Sequence, residues 1–160
     1  MAIVVSDTSP IRALYHLGQL SLLETLFGEM IVPPAVAAEL AAPRRAFPPI
    51  YATTIGYLRV RAPLDLARVT SLQQKLDPGE SEAIALPLEL GADLLIDEST
   101  GRSEARRLGL QPVGVLAVLV RGKQAGAVPA VMPLVERLQV DFGFFISAEL
   151  AQVIRERSGE

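Results

Sequence analysis

The chain has 160 residues, no cysteine, one histidine and a formal charge of −3; half of its residues are apolar and only 5% are aromatic. That length suits one domain spanning 1–160, and that composition suits an aliphatic core of helices on a buried sheet rather than a disordered chain. Without cysteine there are no disulfides or thiolate zinc sites, a lone imidazole excludes a histidine-ligated metal cluster, and an acidic chain does not hold nucleic acid by bulk charge.

The first segment, "AIVVS", is a short β-branched run of the kind found in the middle of a parallel sheet, and it stops on Asp7. The helix expected next, "SPIRALYHLG", has either Asp7 or Ser9 as its cap, Pro10 at a first helical position and Gly18 at its end; a second helix runs to Gly28. "MIVPPAVAAEL" repeats the design, with a short strand, a proline pair and a helix over 35–40. Residues 43–56 hold three prolines and no period, and read as a loop. "YLRVRAP" alternates and reads as an edge strand, and "LDLARVTSLQQKL" as an amphipathic helix.

In "LDPGESEAIALPLELGADLLIDEST", Asp77 is placed to cap, Pro78 to start a helix, Gly91 to end it, and "DLLI" forms a strand that stops on Asp97 and Glu98. Helices are expected over 99–109, 114–126 and 129–140, with "QPV" as a short strand and Ser147 capping a last helix. Short apolar strands alternating with helices predict a doubly wound α/β domain with a largely parallel sheet. No segment looks like a signal peptide and none approaches about 18 consecutive apolar residues, so the expectation is a cytoplasmic protein without a membrane partner.

In such sheets ligands bind outside the carboxyl ends of the strands, where Asp7, Asp97 and Glu98 all fall. Glu39 lies in an otherwise apolar helix, and Glu80 opens another with Glu82 two residues on. Carboxylates gathered at one point repel, and a divalent cation removes that repulsion while stabilising charge on a phosphate oxygen. A cluster of acids beside the hydroxyls of Thr8 and Ser9 therefore points to metal-assisted phosphodiester hydrolysis, with Mg²⁺ or Mn²⁺ as the ion that carboxylates favour.

"DTSPIRAL", "VPPAVAAEL", "LDPGESEAIALPLELGADLLIDESTGRSEARRLGL" and "VGVLAVLVRGKQAG", in this order, resemble the PIN-domain proteins, and most closely small prokaryotic PIN-like proteins related to toxin ribonucleases. The resemblance runs from residue 3 to about residue 150 and implies a three-layer α/β/α sandwich, a Mg²⁺- or Mn²⁺-dependent ribonuclease acting on RNA, a homodimer, and the toxin of a pair silenced by a cognate antitoxin. Carried over position by position, the family's first aspartate falls on Asp7, with the following hydroxyl on Ser9 or Thr8. Its helix acid falls on Glu39. The third acid, more often aspartate in the family, falls on Glu80, counting back from Gly91. The fourth falls on Asp97 by the end of the strand or on Glu98 by the count from Gly91. Asp7, Glu39, Glu80, Asp97 and Glu98 are thus the implied metal ligands, with Ser9 completing the catalytic set. The longer glutamates bear on rate and metal preference rather than on the fold.

Thirteen of the fifteen cations are arginine, which grips phosphate with two donors at once. Arg12, one turn into the first helix beside Asp7, and Arg102 and Arg106, one turn apart after the acid strand, are the candidate phosphate contacts. For the latter pair the competing reading is a solvated face offsetting Glu104. His16 reads as a structural residue rather than a catalyst. Two rival functions remain open: a catalytically silent PIN-like module that binds nucleic acid or protein, and a receiver-type phosphoacceptor, which would need a lysine directly after a late strand where this chain has Gly114.

Overall fold

The computed structural model describes residues 3–44 and 47–160; Ala2 of the predicted first strand and residues 45 and 46 of the predicted loop lie outside it. Strands β1 (Val4–Ser6), β2 (Met30–Val32), β3 (Leu58–Val60), β4 (Asp93–Leu95) and β5 (Pro112–Val113) form one sheet in the order β3-β2-β1-β4-β5. Every pairing is parallel, with Val5 opposite Ile31 on one side and Leu94 on the other. β1 is fully buried and central, as its unalternating β-branched sequence demands, whereas the alternating β3 is an edge strand with Arg59 and Val60 exposed.

The helices are α1 (Thr8–His16), α2 (Leu22–Phe27), α3 (Pro34–Ala41), α4 (Leu66–Leu72), α5 (Pro78–Leu90), α6 (Ser99–Arg107), α7 (Val115–Gln124), α8 (Met132–Phe142) and α9 (Ala148–Ser158). α5 packs on β1 and β4 and is flanked by α3, α4 and α6; α2 and α9 pack on α7, and α1 touches both groups. The result is the three-layer α/β/α arrangement expected from the sequence. Its core is aliphatic: Ile11, Leu14, Met30, Leu40, Ile84 and Leu119 are among the fully buried side chains. The 43–56 connection is less featureless than expected, with a bridge between Arg44 and Phe47 and a 3₁₀ turn at Ala52–Thr54.

The chain passes from β1 to β2 to β3 on one side, then returns across the sheet to β4 on the other side of β1. The reversal opens a crevice at the carboxyl ends of β1 and β4, the place where doubly wound sheets bind ligands. Asp7 follows β1 and Asp97 follows β4 by two residues, so both stand at that crevice.

Candidate functional site

Asp7 occupies the N-cap position of α1, yet its side chain makes no capping bond. Part of the reason is local: Pro10 is the third helical residue and carries no N–H, so one of the two amides that a cap normally binds does not exist. The carboxyl is instead buried, only 4% exposed, and turned toward other acids. Burial pushes its pKa up to about 7, the neighbouring charges of Asp77, Glu39 and Asp97 add to the rise, and the Thr8 N–H pulls the other way.

Glu39 reaches the same point from α3. It accepts from the Thr8 hydroxyl and, at 3.2 Å, from the backbone N–H of Gly79. Of the two hydroxyls singled out by sequence, Thr8 is therefore the one bonded to an acid, while Ser9 sits half-buried on the same turn. Glu80, in the first turn of α5, is pushed up to about 9 by burial and by hydrogen bonds to the carboxylates of Asp77 and Glu98. Asp97 is raised by burial to about 6, with the bond from Val115 N–H and the charge of Arg102 opposing the rise. For Glu98 burial is outweighed by bonds from the Gly101 and Thr100 amides, which hold it below the ordinary glutamate value while it caps α6.

Three glycines make room for these groups. A Cβ on Gly79 would lie 2.5 Å from Glu39 Oε1, one on Gly114 would lie 2.5 Å from Asp97 Oδ1, and one on Gly101 would lie 2.6 Å from Ile96 Cδ1 first, then 3.2 Å from Glu80 Oε2 and 3.4 Å from Glu98 Oε2. Each glycine is at or near the start of a helix, so the carboxylates approach the free N–H groups there. The same geometry would be wasted on a merely solvated acid face.

The site thus brings together Asp7, Glu39, Glu80, Asp97 and Glu98, and adds Asp77. Sequence reasoning gives Asp77 only its capping role, which it does perform by accepting from Glu80 N–H at 2.8 Å; the signal available was its position three residues before Glu80. Glu82 faces elsewhere and accepts from Ala35 N–H at 3.0 Å in the first turn of α3. His16, at the far end of α1, lies 2.8 Å from Asp141 and packs edge-on to Phe47 and Phe142.

The three arginines fare differently. Arg12 is 4% exposed and donates to the carbonyls of Glu39 and Ala42, so it fixes the end of α3 from inside rather than standing open to a phosphate. Burial, then the nearby Arg44, lowers its pKa. Arg102 is half-buried beside Asp97 and donates to the carbonyls of Ile96 (2.8 Å) and Pro112 (3.4 Å), joining the turn after β4 to β5. Arg106 is exposed one turn on. Glu104 is offset by Arg107 and, at 3.9 Å, by Lys75, which leaves Arg102 and Arg106 free of that task.

Among the described residues no three of these carboxylates are closed around a common point that would hold an ion. Their chemistry nevertheless fits a hard divalent cation: all donors are carboxylate oxygens, and Glu80 is raised first by burial and then by the neighbouring acids Asp77, Glu98 and Asp7. Asp7, Glu39, Glu80, Asp97 and Asp77 or Glu98 are the residues available to such an ion.

The structure is thus a doubly wound α/β domain with acids gathered at its switch point. The chain belongs to the DUF3368 family of PIN domains, whose family model matches residues 3–160. PIN domains are generally nucleases that use divalent metal ions. No curated protein and no solved structure matches the chain. No helix among the described residues is long and apolar enough to cross a membrane.

Proposed function

We propose that this protein is a Mg²⁺- or Mn²⁺-dependent ribonuclease that hydrolyses RNA phosphodiester bonds at the crevice between β1 and β4. The observation that carries this reading is Asp7: it holds a capping position, makes no capping bond, and is buried among Glu39, Asp77 and Asp97. A group arranged only for helix stability would turn its carboxylate to the amides instead.

In this reading Asp7, Glu39, Glu80 and Asp97 hold the ion, with Glu98 at its margin. The bound ion would lower the pKa of a water and stabilise charge on the phosphate oxygens. Thr8 orients the Glu39 carboxylate through its hydroxyl, and Arg12 fixes the helix end that carries Glu39. The Ser9 hydroxyl stands on the same turn as Thr8 and is available to a water or a phosphate. Arg102, beside Asp97, and Arg106, exposed one turn on, are available to the substrate backbone.

The test is cleavage of mixed structured and single-stranded RNA by the purified protein with Mg²⁺, with Mn²⁺ and with chelator, beside Asp7→Asn. Metal-dependent cleavage that falls at least a hundredfold in Asp7→Asn is the expected result, on the scale of losing a principal metal-site group. Equal cleavage by the folded variant rejects the site. Partnership with an antitoxin and a homodimeric state belong to the same proposal through the family, and a monomeric mass at micromolar concentration rejects the latter.

A further inference from the structure

A cleft of about 590 Å³ starts at Asp97, Arg102 and Gly114 and runs between α7 and α9. That volume lies within the ~300–1,000 Å³ of ordinary ligand sites, and the cleft is open along one side. Its direction is fixed by two contacts at the far end. Gln124 Nε2 donates to the Arg157 carbonyl at 3.3 Å, and Lys123 Nζ lies 3.0 Å from Glu160 Oε2, so the last turns of α7 and α9 lie together. Leu116 from the first turn of α7 and Leu150 from the first turn of α9 line the same cleft as Asp97, and so do Phe144 and Phe145 of the short loop before α9.

That loop is tightly placed. Gly143 ends α8 in the left-handed region (φ +65°), Phe144 packs edge-on to Phe142, and the Ser147 hydroxyl accepts from Leu150 N–H at 3.1 Å. Phe145 is nevertheless 90% exposed on the cleft wall. A loop that leaves one phenyl ring in water on the cleft that Asp97 also lines offers a flat apolar face to a flat partner. The lining carries three arginines, Arg102, Arg121 and Arg157, against the single carboxylate of Asp97. In a chain of net charge −3 this is a local reversal of sign.

We propose that the cleft is a track for unpaired RNA: Phe145 stacks a base next to the scissile phosphate, and Arg121 and Arg157 contact phosphates further along α7 and α9. Stacking selects single strands because a duplex hides the faces of its bases, and it tolerates any sequence. The proposal rests on the ribonuclease reading for what lies at the Asp97 end, but its binding test does not need turnover.

The experiment is fluorescence anisotropy of a short labelled single-stranded RNA, with chelator present so that nothing is cut, titrated with the wild-type chain and its variants. Phe145→Ala is expected to weaken binding about tenfold and Phe145→Trp to retain it, on the scale of one stacked base. Arg121→Ala with Arg157→Ala is expected to lower the salt slope by about 0.7 for each lost phosphate contact. A duplex of the same sequence is expected to bind more weakly and to be indifferent to Phe145→Ala. Affinity unchanged in Phe145→Ala and in the double arginine variant overturns the proposal and leaves this face to a protein ligand; absence of RNA binding by the wild type overturns it as well. Metal-dependent cleavage with an indifferent Phe145 rejects the track and keeps the nuclease. Binding through Phe145 without cleavage under any metal does the reverse.

Discussion

Asp7 is a buried acid whose burial is set against its own charge, and that has a consequence in the metal-free protein. Its carboxyl ordinarily titrates near 3.8 and is raised to about 7 in the fold. A group whose folded pKa is raised binds its proton more tightly in the native state, so its contribution to stability is complete below about pH 4 and is lost as pH rises to about 7. Glu80, raised to about 9, extends the same trend upward. Thermal melts in chelator should therefore show the midpoint falling between pH 4 and pH 8, and Asp7→Asn should flatten the lower part of that fall and melt above the wild type at pH 8. A wild-type midpoint that climbs over this range would contradict the burial assigned to Asp7. Arg12 poses the converse case, a buried cation that serves the backbone. Its guanidinium satisfies the carbonyls of Glu39 and Ala42, while its Nε and Nη1 have no partner among the described residues. Arg12→Ala should cost about 2–4 kcal/mol in urea unfolding, because it strands those carbonyls and leaves a cavity between α1 and α3. A loss below about 0.5 kcal/mol, the ordinary range for a surface residue, would mean that the clamp does not exist.

At the scale of elements, the site is made by helix beginnings. α1, α5, α6 and α7 each start beside one of the acids, and at Gly79 and Gly114 glycine occupies places where a side chain would collide with a carboxylate. Gly114 has φ −107°, a conformation open to any residue, so replacing it introduces no backbone strain. The added methyl would collide with Asp97 Oδ1 at 2.5 Å and press on Arg102 Nη1 at 3.2 Å. Gly114→Ala should leave the melting midpoint within a few degrees of wild type and lower metal-dependent cleavage more than tenfold, since a displacement of about 1 Å at a reacting centre is already costly. Unchanged cleavage would show that Asp97 is dispensable. Much of this was legible in the sequence: the proline starts of α3 and α5, the glycine ends after α1, α2 and α5, and the acid that closes each of two apolar strands. The start of α1 was not. The sequence leaves Asp7 and Ser9 open as its cap and favours Pro10 as a first helical position, whereas the helix begins at Thr8 with Asp7 at the cap, which puts the Thr8 hydroxyl within reach of Glu39 on α3. The cradling glycines and the bond between Thr8 and Glu39 also escape sequence reading, since they join residues far apart in the chain. Asp77 is a different case, concealed by a capping role that it does perform.

For the whole molecule, the parallel sheet concentrates negative charge at one edge of a chain that is already acidic. β1 and β4 carry Asp7 and Asp97 to the crevice, and α3 and α5 lean in with Glu39, Asp77 and Glu80. Without a cation the fold accommodates this by raising the proton affinity of Glu80 and Asp7. A cation would take the place of those protons. Binding should then release protons and grow stronger as pH rises, because a lower proton activity makes their release less costly. A ligand that binds only the native state stabilises it by RT ln(1 + [L]/Kd), about 2.7 kcal/mol at a hundredfold excess over Kd. Millimolar Mg²⁺ or Mn²⁺ should accordingly raise the melting midpoint by several degrees at pH 8 and by much less at pH 5, with chelator reversing the gain. Asp7→Asn should abolish most of the difference between the two pH values. A rise of the same size at both, or one that persists in Asp7→Asn, would place the ion somewhere other than this crevice. The acids would then be a cost that the fold bears for another reason.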